Sequence, residues 1–515
     1  MAAVDPLTCS LAMLVTAALG GGADTRALPV TVQDDAIMLH RPPNQVTAAA
    51  RRMATLGVDR VRLTAGWSAL APDMHSRRAP DFGARRSERY PREPWSRLDR
   101  AVKAVTTAGL EPQIDIAFFA PRWATKRGDR RSRYRWEPDP ARFGAFAEAV
   151  ADRYDGTHRD PARSAQRKLP AVRLWTTWNE PNHASFLLPQ WRRVEGRWTA
   201  HSPHLYRKLH EAAYASIKRV SPDNEVLIGG LAALGTNARG PRKGIPPLRF
   251  LRELACVDRR GRPLERAACA DFKPLRADGL AHHPYSLYDR PDAESVHPEH
   301  VTIGDMPRLS RMLEWLHRAG RITTRLPIYI TEYGYETNPP DRGRGVSLLA
   351  QARYHGLATF LAWKRQDVSS FAQFLLNDNS RTSDWNSGLY FHDGRAKPAV
   401  QAFKVPFWAE YASVAGRDVV LLFGQVRPGQ GRKRIEVELR GADGEWHAVK
   451  TYETRTEGDY DCGEDSTPFL TDAEGFFLRV VPYFGRARYR ARWVRNSGAS
   501  QYTVPIPVRQ PPTGP

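Results

Sequence analysis

From about Val30 to Tyr411 the chain alternates short apolar, β-rich runs with longer amphipathic segments, the order expected of a parallel sheet wrapped by helices. The candidate strands are Ala36 to Leu39, Arg60 to Thr64, Glu111 to Ala117, Val172 to Thr177, Glu225 to Gly230, Gly279 to His283, Ile328 to Glu332 and Phe371 to Leu376. Eight of them suit closure into a barrel. Between them, Trp95, Leu98, Val102 and Val105 fall on one helical face, as do Phe143, Phe146, Val150 and Tyr154. Asp139-Pro140 and Ser202-Pro203 each set a capping side chain before a proline suited to a first helical turn. A doubly wound open sheet is the alternative, but no glycine-rich phosphate loop follows the first strand.

After Tyr411 the period changes to short alternating runs, Val419 to Phe423, Ile435 to Leu439, Trp446 to Tyr452, Phe476 to Val481 and Tyr489 to Val494. The turn signals PGQGR and ADGE lie between them, as in a small β-sandwich. The expected fold class is therefore α/β, a (β/α)8 TIM barrel followed by a small C-terminal β-sandwich. Residues 1–29 form a leader, 30–411 the barrel, and 412–515 the sandwich with a loose tail at RQPPTGP. The sandwich reads as a packing or accessory module. Trp446 and Tyr483 would serve a core or a carbohydrate surface equally well.

Composition changes this picture little. The 515 residues carry 77 Lys and Arg against 56 Asp and Glu, a net charge of +21, but the basic residues are mostly Arg and scattered. No zinc-finger spacing, RNA-binding signature or basic-helix pattern accompanies them, so no nucleic-acid partner is expected. Beyond the N-terminus no apolar run reaches membrane-spanning length. Leu11 to Leu19 followed by Gly20 to Ala23 resembles the apolar core and cleavage zone of a secretory signal. Met1 to Ser10, however, lacks Lys and Arg and contains Asp5. A mis-assigned start or a short buried helix fits the same letters, so the expectation is a secreted or extracytoplasmic protein, or a cytoplasmic one if that segment is no signal. Of the four cysteines, Cys9, Cys256, Cys269 and Cys462, the middle two bracket a short polar stretch that one disulfide would pin in an oxidising compartment. Two free thiols are the other reading. No Cys/His cluster offers a metal site, and a monomer is expected.

The chemistry lies at two strand ends. Glu180 closes VRLWTTWNEPN and Glu332 closes LPIYITEYGYE. In a barrel the C-terminal ends of the strands form the active-site face. One glutamate after a strand is ordinarily a solvated loop residue; two, each framed by aromatic and amide side chains, match the carboxylate pair that glycosidic cleavage needs. One group must protonate the leaving oxygen while the other attacks the anomeric carbon or activates water.

On these residues the chain resembles the barrel superfamily of retaining glycosidases, clan A. WNEPN at Trp178 to Asn182 and TEYG at Thr331 to Gly334 look like its paired motifs, nearest in look to families 5 and 39. The resemblance implies Glu180 as acid/base, Glu332 as nucleophile, Asn179 as partner of the sugar 2-hydroxyl and Arg62 as donor to the nucleophile. Tyr285 would also donate to the nucleophile, and His283, or its neighbour His282, would line the sugar subsite. Trp67, Trp123, Trp178 and Trp385 follow candidate strands and are the expected stacking surfaces, each also fit for a structural part. Strand eight reads FAQFLLNDN, without the tryptophan common there in family 5, and Trp385 is the substitute.

The expected activity is hydrolysis of O-glycosidic bonds of an oligo- or polysaccharide through a covalent glycosyl-enzyme, with no cofactor. A transglycosylase using the same intermediate and a non-catalytic carbohydrate-binding barrel are the alternatives. Lys126, Arg127, Arg130, Arg131, Arg133 and Arg135 crowd the loop after strand three, which fits either a solvated loop or a preference for anionic glycans.

Overall fold

The computed structural model describes residues 27–126, 128–162, 167–381, 384–414, 416–429, 431–449, 451–453, 468–494 and 500–510. Residues 1–26 of the leader, including Cys9, and Arg127 and Cys462 lie outside the described residues.

Eight parallel strands close into a barrel: β1 (Val30–Gln33), β2 (Arg60–Gly66), β3 (Glu111–Ala117), β4 (Leu174–Thr177), β5 (Glu225–Ala232), β6 (Gly279–His283), β7 (Ile328–Ile330) and β8 (Val368–Phe374). β1 pairs with both β2 and β8, which seals the sheet. Seven of these coincide with or overlap the expected runs. The first does not: Ala36 to Leu39 lies largely within a short helix, Asp35–Met38, and the strand is the β-branched VTVQ before it. The Asp34 side chain accepts the Ile37 N–H at 3.1 Å, so the apolar letters AIML follow a helix cap rather than a strand start.

Both faces of the barrel strands are buried, but differently. Val61, Leu63, Ala65, Ile114 and Ile116 occupy alternate positions of β2 and β3 among the apolar core, while Arg62, Gln113 and Asp115 occupy the positions between. The second set is buried too and bonds between neighbouring strands inside the barrel. The barrel interior is thus a polar network in an apolar shell.

The expected helical faces are present. Trp95, Leu98, Val102 and Val105 are buried on Arg92–Thr107, and Phe143, Phe146 and Val150 on Pro140–Arg153, with Tyr154 at its end. Asp139 caps the second by accepting from the Arg142 N–H. Ser202 does not cap Ser202–Val220: it is the first helical residue, and its hydroxyl donates to Gln190 instead.

Beyond the barrel, two antiparallel sheets form the sandwich. One orders Phe407–Val414, Arg417–Gln425, Phe476–Pro482 and Tyr452–Glu453; the other centres on Arg434–Arg440 and Ala487–Val494. The barrel's helix Leu348–Trp363 lies against the first sheet, with Trp363 4.9 Å from the Phe423 ring. At Gly356 an added Cβ would sit 2.4 Å from the Phe407 carbonyl oxygen, so this close approach requires glycine. In the other sheet the Arg490 guanidinium covers the Trp446 ring at 4.0 Å, and on the first sheet Tyr483 packs edge-on against Tyr411. Cys256 and Cys269 are joined by a disulfide. Among the described residues no helix is long and apolar enough to cross a membrane.

Candidate active site

Glu180 and Glu332 follow β4 and β7 and meet at the C-terminal end of the barrel. One oxygen of each, with one ring nitrogen of His283, form a cluster in which every pair lies within 4.8 Å.

Glu332 is held by donors that converge from β2 and the loop after β6. Arg62, fully buried, reaches one carboxylate oxygen at 2.6 Å, and the Tyr285 hydroxyl donates to the other at 3.2 Å. The same guanidinium donates to Asp115 at 2.8 Å, to the Asn179 side-chain oxygen at 3.2 Å and to Gln33. Burial lowers the guanidinium's pKa, but Asp115 and Glu332 more than offset this and push it up. The pKa of Asp115 rises as well, which here favours its neutral form. Burial, set against the attraction of Arg62, pushes its carboxyl up to about 7.

Glu180 sits on a loop tied down at several points. Its backbone N–H donates to Gly230 of β5 at 2.9 Å, and Trp178 and Glu180 both have positive φ, 68° and 38°. Non-glycine residues enter that region only where surrounding contacts enforce it. Here Asn182 supplies them: its side chain donates to Ala232 and Ile245 and accepts from the Ala232 N–H, while Gln190 donates to Pro181. The carboxylate itself touches His283, whose Nδ1 lies 3.0 Å from Glu180 and 3.6 Å from Glu332.

Of the two candidate histidines, His283 is the one at the carboxylates. It is fully buried beneath them rather than lining a subsite wall. His282 points outward to the Val301 carbonyl at 2.8 Å, and burial pushes it down to about 3, so it stays neutral.

The tryptophans divide. Trp67 is fully buried between Trp123, Phe143 and Phe146; Trp178 is fully buried against Phe143; Trp123 donates its indole N–H to Pro72 and packs on Phe82. These three are packing residues with no face left for a sugar. Trp385 is different: 37% exposed, it lies 5.1 Å from Tyr285 and edge-on to Phe374, beside Glu332.

Sequence reasoning missed Asp115 and Gln33, which complete the ring around Arg62. Their signal was present as polar letters at lumen positions of otherwise apolar strands, in step with Arg62. The three-residue cluster is also compact enough for a divalent cation. A cation there would face the Arg62 charge, which already occupies the Glu332 carboxylate. A second grouping, His204 with Cys256 and Cys269, has its sulfurs committed to the disulfide.

No family model matches the chain, and no curated protein matches it in sequence. Among solved structures it is similar to a glucosidase from Croceicoccus marinus, at 14% identity over 91% of this chain and 98% of that one, TM-score 0.49. It is likewise similar to a monomeric β-xylosidase from Caulobacter crescentus, at 15% identity over 90% and 98% of the two chains, TM-score 0.47. An endo-β-1,4-mannanase from Thermotoga petrophila matches at 11% identity over 95% and 99%, TM-score 0.39. These likenesses are weak, and the fold and site described above stand on their own geometry.

Proposed function

We propose that this protein is a retaining glycoside hydrolase acting on O-glycosidic bonds of an oligo- or polysaccharide. The observation that carries the proposal is the spacing of the two carboxylates, whose nearest oxygens lie within 4.8 Å. Retaining enzymes hold their carboxyl groups ~5–5.5 Å apart, whereas inverting ones leave ~6.5–9.5 Å to fit a water.

The unlike surroundings support the division of labour. In the first step Glu332 attacks the anomeric carbon as the glycosidic C–O bond breaks, and Glu180 gives its proton to the departing oxygen. In the second, Glu180 takes a proton from water, the water oxygen bonds to the anomeric carbon, and the bond to Glu332 breaks. Arg62 and Tyr285 hold Glu332 as an anion aimed at the sugar. Arg62 also fixes which end of the Asn179 amide faces it, leaving the NH2 group to donate to a sugar hydroxyl. Trp385 supplies an apolar face beside the nucleophile for the ring being transferred.

The test is sugar release from neutral and acidic polysaccharides and aryl glycosides, comparing the protein with Glu332→Ala. Release that disappears in the variant supports the reading; release that survives refutes it. Export from the cytoplasm belongs to the same proposal, supported by the Cys256–Cys269 disulfide.

A further inference from the structure

The acid/base side of the cleft carries an aromatic shelf edged by arginines. Phe118 and Phe119, directly after β3, lie 5.2 Å apart, and Phe118 packs 4.8 Å from Phe186, six residues beyond Glu180. All three are only half-buried. The His183 N–H donates to the Glu180 carbonyl at 2.8 Å and the His183 ring tilts against Phe186, so the shelf is continuous with the acid/base loop.

One guanidinium group stands at its edge and a second is held beyond it by Asp129. Arg135 lies over the Phe119 ring at 5.8 Å and donates to the Ser185 carbonyl at 2.7 Å. Arg242, from the loop after β5, pairs with Asp129 near Arg135, and the two cations repel: burial and then Arg242 lower the Arg135 pKa, while Asp129 raises it. One carboxylate thus serves two guanidiniums, and it is further taken up by the Ser132 hydroxyl and the Arg131 N–H. Residues 121–135 hold seven Lys and Arg against one acid, and residues 233–246 hold three against none. Of the basic letters after β3, Arg130 and Arg131 are solvent-exposed, and Arg133 turns onto Tyr134. Arg135 is the one that joins the shelf.

We propose that this shelf is a leaving-group subsite for a carboxylated sugar, a uronate, whose ring packs on Phe118 and Phe186 while its carboxylate bridges Arg135 and Arg242. The assignment to the leaving-group side rests on Glu180 being the acid. Arginine pairs suit this task because a planar carboxylate can accept two parallel N–H donors.

Binding separates this claim from catalysis. The full chain carrying Glu332→Gln is run in native gels containing polygalacturonate, alginate, hyaluronate or xanthan, and in gels containing hydroxyethylcellulose or mannan. At least one uronate polymer retards it more than the neutral ones do. Arg135→Gln with Arg242→Gln weakens that retardation about tenfold. Arg135→Lys, which keeps the charge and guards against a folding defect, retains most of it. Arg130→Gln with Arg131→Gln leaves it unchanged. Retardation by no uronate polymer, equal loss in the Arg130/Arg131 variant, or displacement by duplex DNA at matched charge overturns the proposal. If hydrolysis survives Glu332→Ala, the catalytic reading fails while the binding result still stands or falls by itself.

Discussion

The two sides of the barrel mouth are built to opposite designs. On the Glu332 side a fully buried arginine and a tyrosine donate directly to the carboxylate, and three further acceptors, Asp115, Asn179 and Gln33, lock the arginine in place. On the Glu180 side the carboxylate meets one histidine, and rigidity comes from the backbone, through Gly230 and the Asn182 clasp. A group that attacks as an anion needs donors that are already paid for in the folded state. A group that must gain and lose a proton in each cycle needs position without a fixed partner charge. The difference supports the proposed roles more firmly than either glutamate does alone.

Removing the groups one at a time sharpens this comparison. Glu332→Ala is expected to lower kcat by on the order of 10⁴-fold or more, because no covalent intermediate forms. Added azide restores turnover by filling the vacated space and gives a glycosyl azide of inverted configuration. Glu180→Ala costs ~10²–10⁴-fold on substrates with poor leaving groups and far less on dinitrophenyl glycosides, which need no proton. If both variants responded alike to leaving-group quality, the two sides would not differ in role.

Arg62→Met leaves the Glu332 carboxylate buried without its counter-charge and takes away the donor to Asp115. It should destabilise the fold by ~3–5 kcal/mol in denaturant titration as well as abolishing activity. Tyr285→Phe removes one hydrogen bond to a charged group and should slow turnover ~10–100-fold with little change in stability.

The smallest expected effect is a pH dependence. Burial holds Asp115 at about 7, above the unfolded value near 4, so the folded protein binds the extra proton. Its contribution to stability is present below about pH 4 and is lost as pH rises through about 7. His282 and His355, pushed down to about 3 by burial, have the opposite dependence, so the whole-protein curve mixes the two. The difference in melting temperature between Asp115→Asn and the parent protein isolates the aspartate. It should shift in the variant's favour between pH 5 and 8; a difference that stays flat contradicts a protonated Asp115.

Much of this was legible in the residues. The two glutamates could be found because strand-end position and flanking letters both point to the active-site face. Arg62 and Tyr285 came from the resemblance to the clan A glycosidases, and both donate to Glu332. The first strand was misplaced because four apolar letters carry no period, and the Asp34 side chain before them caps a helix by accepting the Ile37 N–H. Trp67, Trp123 and Trp178 were misjudged for a related reason: a tryptophan after a strand can turn to the mouth or to the helices, and its neighbours in space decide. Asp115 was overlooked because a single acid inside QIDIA looks like an interruption until its partner Arg62 is seen on the neighbouring strand. The strand Phe407–Val414 was missed because it runs on almost directly from the last barrel helix, Pro398–Lys404.

The most direct test of the central claim is the configuration of the first-formed sugar, followed by NMR during hydrolysis of an aryl glycoside. Carboxylates as close as Glu180 and Glu332 predict that the product keeps the anomeric configuration of the substrate. A product of inverted configuration would contradict the account, because it would mean that water rather than Glu332 attacks the anomeric carbon.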